Sequence, residues 1–218
     1  MKKGLTEMVF ILDRSGSMGG LEKDTIGGYN SMIAKQRKED GEALVSTVLF
    51  DHEQIVFCDR LPLDDVREMT EDDYYVRGCT ALLDAIGGSI HHIGNIHKYA
   101  REEDVPEKTI FVITTDGLEN ASRRYSYREI KSMIKKQEEK YGWEFIFLGA
   151  NIDVAKESDR LGIRKERSVR YVNDSKGIGL NFGAVGEVIC AMRSAPDMRE
   201  IDGSWKEDIE KDYKRRGR

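Results

Sequence analysis

The sequence predicts an α/β domain, a doubly wound, mainly parallel sheet of six strands with one antiparallel edge strand and helices on both faces. Two patterns carry that expectation. Apolar runs of strand length alternate with longer segments whose apolar residues recur at helical spacing, the order that βαβ units impose. One pair of runs breaks the alternation: only His52 and Glu53 separate them, and so short a link makes a hairpin.

The elements follow in order. "TEMVFILD" reads as a buried first strand, and "KDTIGGYNSMIAKQRK" as a helix with Ile26, Tyr29 and Ile33 on one face. Gly27 and Gly28 each cost that helix about 1 kcal/mol relative to alanine, which points to close packing against a neighbour. "ALVSTVLFD" and "QIVFCDRL" form the hairpin. "ALLDAIGGSIHHIGNIH" is a helix opening at Thr80, "KTIFVITTD" a fully buried strand, "SYREIKSMIKKQEEKYG" a helix and "WEFIFLGA" another buried strand. "DVAKESDRLGI" and "ERSVRYV" supply one more helix and strand. "GLNFGAVGEVICAMRSA", with Phe182, Val185, Ile189 and Met192 on one face, is the final helix. The domain is expected over residues 1–195. Residues 196–218 read as a charged C-terminal tail with an isolated Trp205, either a frayed end or a short docked helix.

Composition narrows the function. The chain has 218 residues, 39% hydrophobic and 34% charged, which suits one globular domain. A net charge of -5 with both signs well mixed offers no general basic surface, so neither nucleic acid nor an anionic membrane is an expected partner. No run approaches the roughly 18 apolar residues that cross a bilayer, and "MKKGLTEMVF" lacks the apolar core of a secretory signal. Cys58, Cys79 and Cys190 are too few and too scattered for a disulfide framework. A cytoplasmic location is therefore expected. His52, His91, His92 and His97 form no zinc spacing, and His97 continues the helix stripe of Leu82, Ile86, Ile90 and Ile93, so it reads as a packed histidine.

The chemistry concentrates at strand ends. In "FILDRSGSMGG" an apolar strand ends in Asp13, and hydroxyls follow at Ser15 and Ser17. A strand order of 3-2-1-4-5-6 makes the strand ending in "FVITTD" a neighbour of the first, which brings Asp116 beside Asp13 at the carboxyl edge where ligands bind. Thr80 offers either a helix cap or a further oxygen aimed at the same crevice. Asp13, Ser15, Ser17, Thr80 and Asp116 supply only oxygen, a set that suits a hard divalent cation; Mg²⁺ takes six oxygens at about 2.0–2.1 Å. With at most two carboxylates to offset it, the ion stays electrophilic and favours an acidic oxygen from a partner protein.

"DRSGS", the threonine of "GCTAL" and the aspartate of "TTDGLEN" together resemble the metal-ion-dependent adhesion site (MIDAS) of von Willebrand factor A domains, whose pattern is Asp-x-Ser-x-Ser, then Thr, then Asp. The resemblance covers roughly residues 5–195, and "DRSGSM" is especially similar to bacterial and phage-borne members. It implies a Rossmann-like, six-stranded fold with a short antiparallel edge strand. It also implies that Ser15, Ser17 and Thr80 bind the metal directly or exchange with water, that Asp13 coordinates it or holds its waters, and that Asp116 completes the set. The function implied is non-enzymatic: a module that binds Mg²⁺, Mn²⁺ or Ca²⁺ and captures a partner carboxylate, with a final helix that can shift. Glu119 and Asn120 read as a solvated loop and helix cap ahead of a supporting role at the site.

The alternative is a metal-dependent phosphohydrolase or phosphotransferase of haloacid dehalogenase-like type. It also ends its first strand in aspartate but needs a second one two residues later, where this chain has Ser15. "GIGLNFG" imitates a dinucleotide-binding loop, yet Phe182 takes the third glycine position and the stretch follows the last strand. Cys79, with no histidine in reach, reads as a small, semi-buried thiol.

Overall fold

The apolar run that ends in Asp13 becomes β1 (Lys2–Asp13), buried from Leu5 onward, at the centre of the sheet. In this computed structural model, which describes residues 1–217, six strands run in the order β3-β2-β1-β4-β5-β6. β2 (Glu42–Phe50) and β4 (Pro106–Thr115) flank β1 in parallel, β5 (Glu144–Gly149) and β6 (Ser168–Arg170) extend the parallel side, and β3 (Gln54–Pro62) lies antiparallel on β2 as the edge. The expected class, strand order and hairpin are the observed ones.

Parallel strands covered on both faces must be apolar on both faces. In β1, Met8, Phe10 and Leu12 point into one layer and Val9 and Ile11 into the other. The first layer is roofed by α1 (Glu22–Gln36) and α5 (Ser175–Ser194), through Tyr29, Met32, Ile33, Ile178, Val185 and Ile189. The second is roofed by α2 (Leu82–Tyr99), α3 (Tyr127–Tyr141) and α4 (Val154–Leu161). The close packing expected at the glycine pair falls on Gly28: a Cβ there would sit 2.2 Å from the Phe182 ring of α5, whereas one at Gly27 would meet nothing within 4 Å.

Beyond α5, two 3₁₀ turns lead into α6 (Glu207–Arg216), which rests on β6 and α5. Buried Arg167 fastens this segment, because its guanidinium pairs with buried Glu144 at 2.6 Å and donates to the carbonyls of Met198 (2.8 Å) and Ile201 (2.5 Å). Lys206 donates to the carbonyls of Lys165 and Ser168, both at 2.7 Å, and the Trp205 indole N–H to that of Glu166 at 3.0 Å. Nearby on α3, Glu138 has a buried Oε1 with no hydrogen-bond partner among the described residues. Burial pushes its pKa up to about 7, the Arg164 guanidinium opposing the shift and the Glu144 charge adding to it.

Two measurements check these packing statements. Gly28→Ala inserts a methyl group against Phe182 and is expected to lower unfolding stability by about 1–3 kcal/mol in a denaturant titration, despite alanine's better helix propensity; a stabilised variant would refute the close contact. For Glu138 the folded pKa lies above the unfolded one, so the wild type is favoured at low pH and loses stability as pH rises through about 7. Glu138→Gln should therefore melt at a higher temperature than wild type at pH 8, with the difference shrinking toward pH 5.

Candidate metal centre

Pairing of β1 with β4 places Leu12 against Thr114, so the residues that leave the two strands, Asp13 and Asp116, emerge side by side. Both carboxylates are buried and both are held by short polar contacts. Asp13 Oδ1 accepts the Ser15 N–H at 2.7 Å, bending the chain back over the strand end. Its Oδ2 accepts the Thr115 hydroxyl at 2.6 Å and, at 3.4 Å, the Asp116 N–H. The carbonyl of Asp13 accepts the buried Tyr74 hydroxyl.

The loop after β1 then turns through a 3₁₀ segment, Gly16–Met18, which brings the Ser15 and Ser17 hydroxyl oxygens to 3.1 Å of each other. Ser17 donates to Asp116 Oδ1, and Asn173, from the loop after β6, donates to Asp116 Oδ2 at 2.9 Å. Thr80 reaches the group from a third loop. Its N–H donates to the Asn120 side chain at 3.0 Å, and its carbonyl accepts the N–H groups of Asn120 (3.0 Å) and Ala121 (3.2 Å). A Cβ on Gly117 would lie 3.3 Å from Thr80 Oγ1 and 3.4 Å from Ser17 Oγ, so both hydroxyls stand against the residue next to Asp116, and the glycine gives them room there. The structure thus brings all five residues, Asp13, Ser15, Ser17, Thr80 and Asp116, to one point. Ser17 and Gly16 are exposed and mark the open side; the other four oxygen-bearing residues are buried.

The electrostatics are those of two crowded anions. Burial raises the Asp13 pKa despite the hydrogen bonds from Ser15 and Thr115 that oppose it. Asp116 is pushed up to about 6, first by burial and then by the charge of Asp13, against hydrogen bonds from Ser17 and Asn173. Among the described residues every group that hydrogen bonds these carboxylates is neutral. Paired acids with only hydroxyl and amide neighbours, beside further free hydroxyl oxygens, are a donor set that fits a hard divalent cation.

Several details depart from expectation or escaped it. α2 begins at Leu82 with Ala81 in the capping position, so Thr80 does not cap it. The free N–H groups of α2 are met from outside, Leu83 by Glu119 and Asp84 by Ser122, both at 3.0 Å. Glu119 therefore caps α2 from a neighbouring loop, while Asn120 fixes Thr80. Cys79 is exposed and not semi-buried. His97 packs edge-on against Trp143 and bonds buried Glu7 at 2.5 Å. Asn173 carried one available signal: it follows a strand at the same carboxyl edge as the other site residues.

No family model matches the sequence, and no curated protein matches it. Solved structures do. Proximal thread matrix protein 1 from the mussel byssus, with a zinc-occupied MIDAS motif, superposes with a TM-score of 0.58 at 15% identity over 86% of this chain and 46% of its own. A von Willebrand factor type A protein from Catenulispora acidiphila gives 0.59 at 16% identity, covering 86% and 42%. The manganese-loaded TRAP protein of Plasmodium vivax gives 0.58 at 14%, covering 84% and 74%. The chain spans less than half the length of the mussel and Catenulispora proteins. At such identities the likeness speaks for architecture, and together with the strand order and its antiparallel edge it identifies this chain as a domain of von Willebrand factor A-type fold.

Proposed function

We propose that the chain is a non-enzymatic interaction module of the cytoplasm that holds Mg²⁺, or Mn²⁺ or Ca²⁺ in its place, and captures an acidic side chain of a partner protein. The observation that carries this reading is the convergence of three hydroxyls and two carboxylates, both raised in pKa and neither paired with a cationic side chain among the described residues. Bound there, a divalent cation supplies an electrophilic coordination position that a carboxylate can fill.

The chain's own residues divide the remaining work. Ser15, Ser17 and Thr80 offer neutral oxygens, so the formal charge brought by the protein comes from Asp13 and Asp116 alone. Asp13, whose Oδ1 accepts the Ser15 N–H and whose Oδ2 accepts the Thr115 hydroxyl and the Asp116 N–H, orients Ser15 and would offer the acceptor capacity left on Oδ1 to water around a bound ion. Asn173 holds the outer oxygen of Asp116 and keeps that carboxylate turned toward Ser17. Ser17, at the exposed mouth, marks the side from which a partner approaches.

Other features support the wider reading. The position two residues after Asp13, where a dehalogenase-type phosphohydrolase needs its general acid, is Ser15, and none of the four histidines bonds a residue of the cluster. The three cysteines are free. Among the described residues no helix is long and apolar enough to cross a membrane. The zinc-occupied and manganese-loaded states named for the mussel and Plasmodium proteins favour a divalent ion here as well.

Calorimetric titration with Mg²⁺ and Mn²⁺ tests the proposal. Wild type is expected to take up one ion, reversibly to EDTA; Asp13→Ala and Asp116→Ala should abolish uptake while leaving the far-ultraviolet circular dichroism unchanged. Absence of binding by the wild type at millimolar metal overturns the function and leaves the fold intact.

A further inference from the structure

Arg14 lies inside the metal motif, between Asp13 and Ser15, yet the all-oxygen cluster makes no use of it. Its side chain is 0% exposed, and Nη2 lies 2.8 Å from Oδ2 of Asp51, which is also 0% exposed. The guanidinium stacks 4.9 Å from the centroid of the Tyr75 ring, and among the described residues none of Nε, Nη1 and Nη2 has a hydrogen-bond partner, so Nη2 meets Asp51 as a charge contact. A buried ion pair with unmet donors is a poor source of stability, since desolvation offsets its attraction. Its connections are more telling.

Asp51 follows β2, and its carboxylate gathers three further groups: Oδ1 accepts the Glu53 N–H at 2.7 Å and lies 3.0 Å from His52 Nδ1, while Oδ2 accepts Arg77 Nε at 3.0 Å. Its carbonyl accepts the N–H of Ala81, the residue after Thr80, at 2.8 Å. The Arg14 main chain acts in parallel from β1, donating to the Phe50 carbonyl at 2.8 Å and accepting the Arg77 N–H at 3.0 Å. Gly16 donates to the Gly78 carbonyl at 3.2 Å. Residues 74–81 belong to no helix or strand, so contacts such as these set where Thr80 stands.

We propose that the buried Arg14–Asp51 pair is a positioning device: it fixes the segment that carries Thr80 against the Asp13–Ser17 loop, and thereby sets the cation affinity of the cluster. This rests on the metal reading above. The same contacts argue against a second ion at Asp51, His52 and Glu53, whose side chains are close enough to share one. Arg14 and Arg77 already neutralise Asp51, and Arg77 also pairs with Glu53.

The test uses the double variant Arg14→Gln with Asp51→Asn, which removes both charges together and leaves neither stranded. Arg14→Lys is the second variant if the double one fails to fold: it keeps a charge but withdraws the planar fork. Mg²⁺ and Mn²⁺ are titrated into wild type, the double variant, Thr80→Ala and the triple variant. The double variant should bind about 10- to 100-fold more weakly than wild type, with no further loss when it is combined with Thr80→Ala. Wild-type affinity in the double variant, or a loss that persists undiminished without the Thr80 hydroxyl, overturns the inference. Amide exchange of the metal-free proteins decides it independently of any ion: residues 77–81 should exchange at least about tenfold faster in the double variant while β1 and β4 stay protected. Unchanged protection overturns the positioning role; loosened amides in the double variant, with a wild type that binds no cation, would sink the metal reading and leave the positioning role standing.

Discussion

The structure is organised by the cost of holding two carboxylates side by side at the end of a buried sheet. β1 and β4 are largely apolar on both faces because helices cover both, and the two aspartates sit where the strands run out. Asp13 and Asp116 meet there, and every neighbouring polar group reduces the penalty of their burial. The Thr115 hydroxyl and the Ser15 amide serve Asp13; the Ser17 hydroxyl and the Asn173 amide serve Asp116. Even so, burial leaves both pKa values raised. Unrelieved negative charge surrounded by hydroxyls is the feature from which the proposed chemistry follows.

Rigid support for the loops comes from reciprocal capping. The turn after β4 supplies Glu119 and Ser122 to the free N–H groups of α2, and α2 answers with Asp84, whose carboxylate accepts the N–H groups of Arg123 (2.9 Å), Arg124 (2.9 Å) and Tyr125 (3.1 Å). The start of α2 and the loop that carries Asp116 therefore behave as one unit. Arg14 and Asp51 tie the approach to Thr80 to the other side of the cluster, at the ends of β1 and β2. Thr80 is gripped from both directions although it lies outside any regular element.

Much of this was readable in the sequence, and the reason is periodicity. Short runs of strand length alternating with longer segments of helical spacing read as strands and helices, and the two-residue gap at His52–Glu53 reads as a hairpin. The doubly wound order 3-2-1-4-5-6, one of the common orders for such a sheet, is what brings Asp13 and Asp116 together. What escaped were the side chains that act across long separations. Arg14 and Asp51 are 37 positions apart, Asn173 and Asp116 are 57, and no local pattern marks either pair. Threonine is a good cap and so marks position 80 as the opening of α2, whereas the groups that meet the helix's free N–H groups come from a different loop. Cys79 is exposed where its sequence context suggests partial burial, because exposure in an irregular segment depends on packing that composition does not encode.

The central place of β1 also bears on how the native state is reached. One of its neighbours, β2, comes soon after it in the chain, but the other, β4, arrives late: Asp13 and Thr115, joined by a hydrogen bond, are 102 residues apart. Such high contact order exacts a large loop-closure entropy before the middle of the sheet is sealed, and until then one whole margin of an apolar strand stays open to misassociation. Because the oxygen cluster draws on that long-range junction, a chain in which β4 has not joined β1 contains no complete cluster, and occupancy of the site would report that the two strands have met.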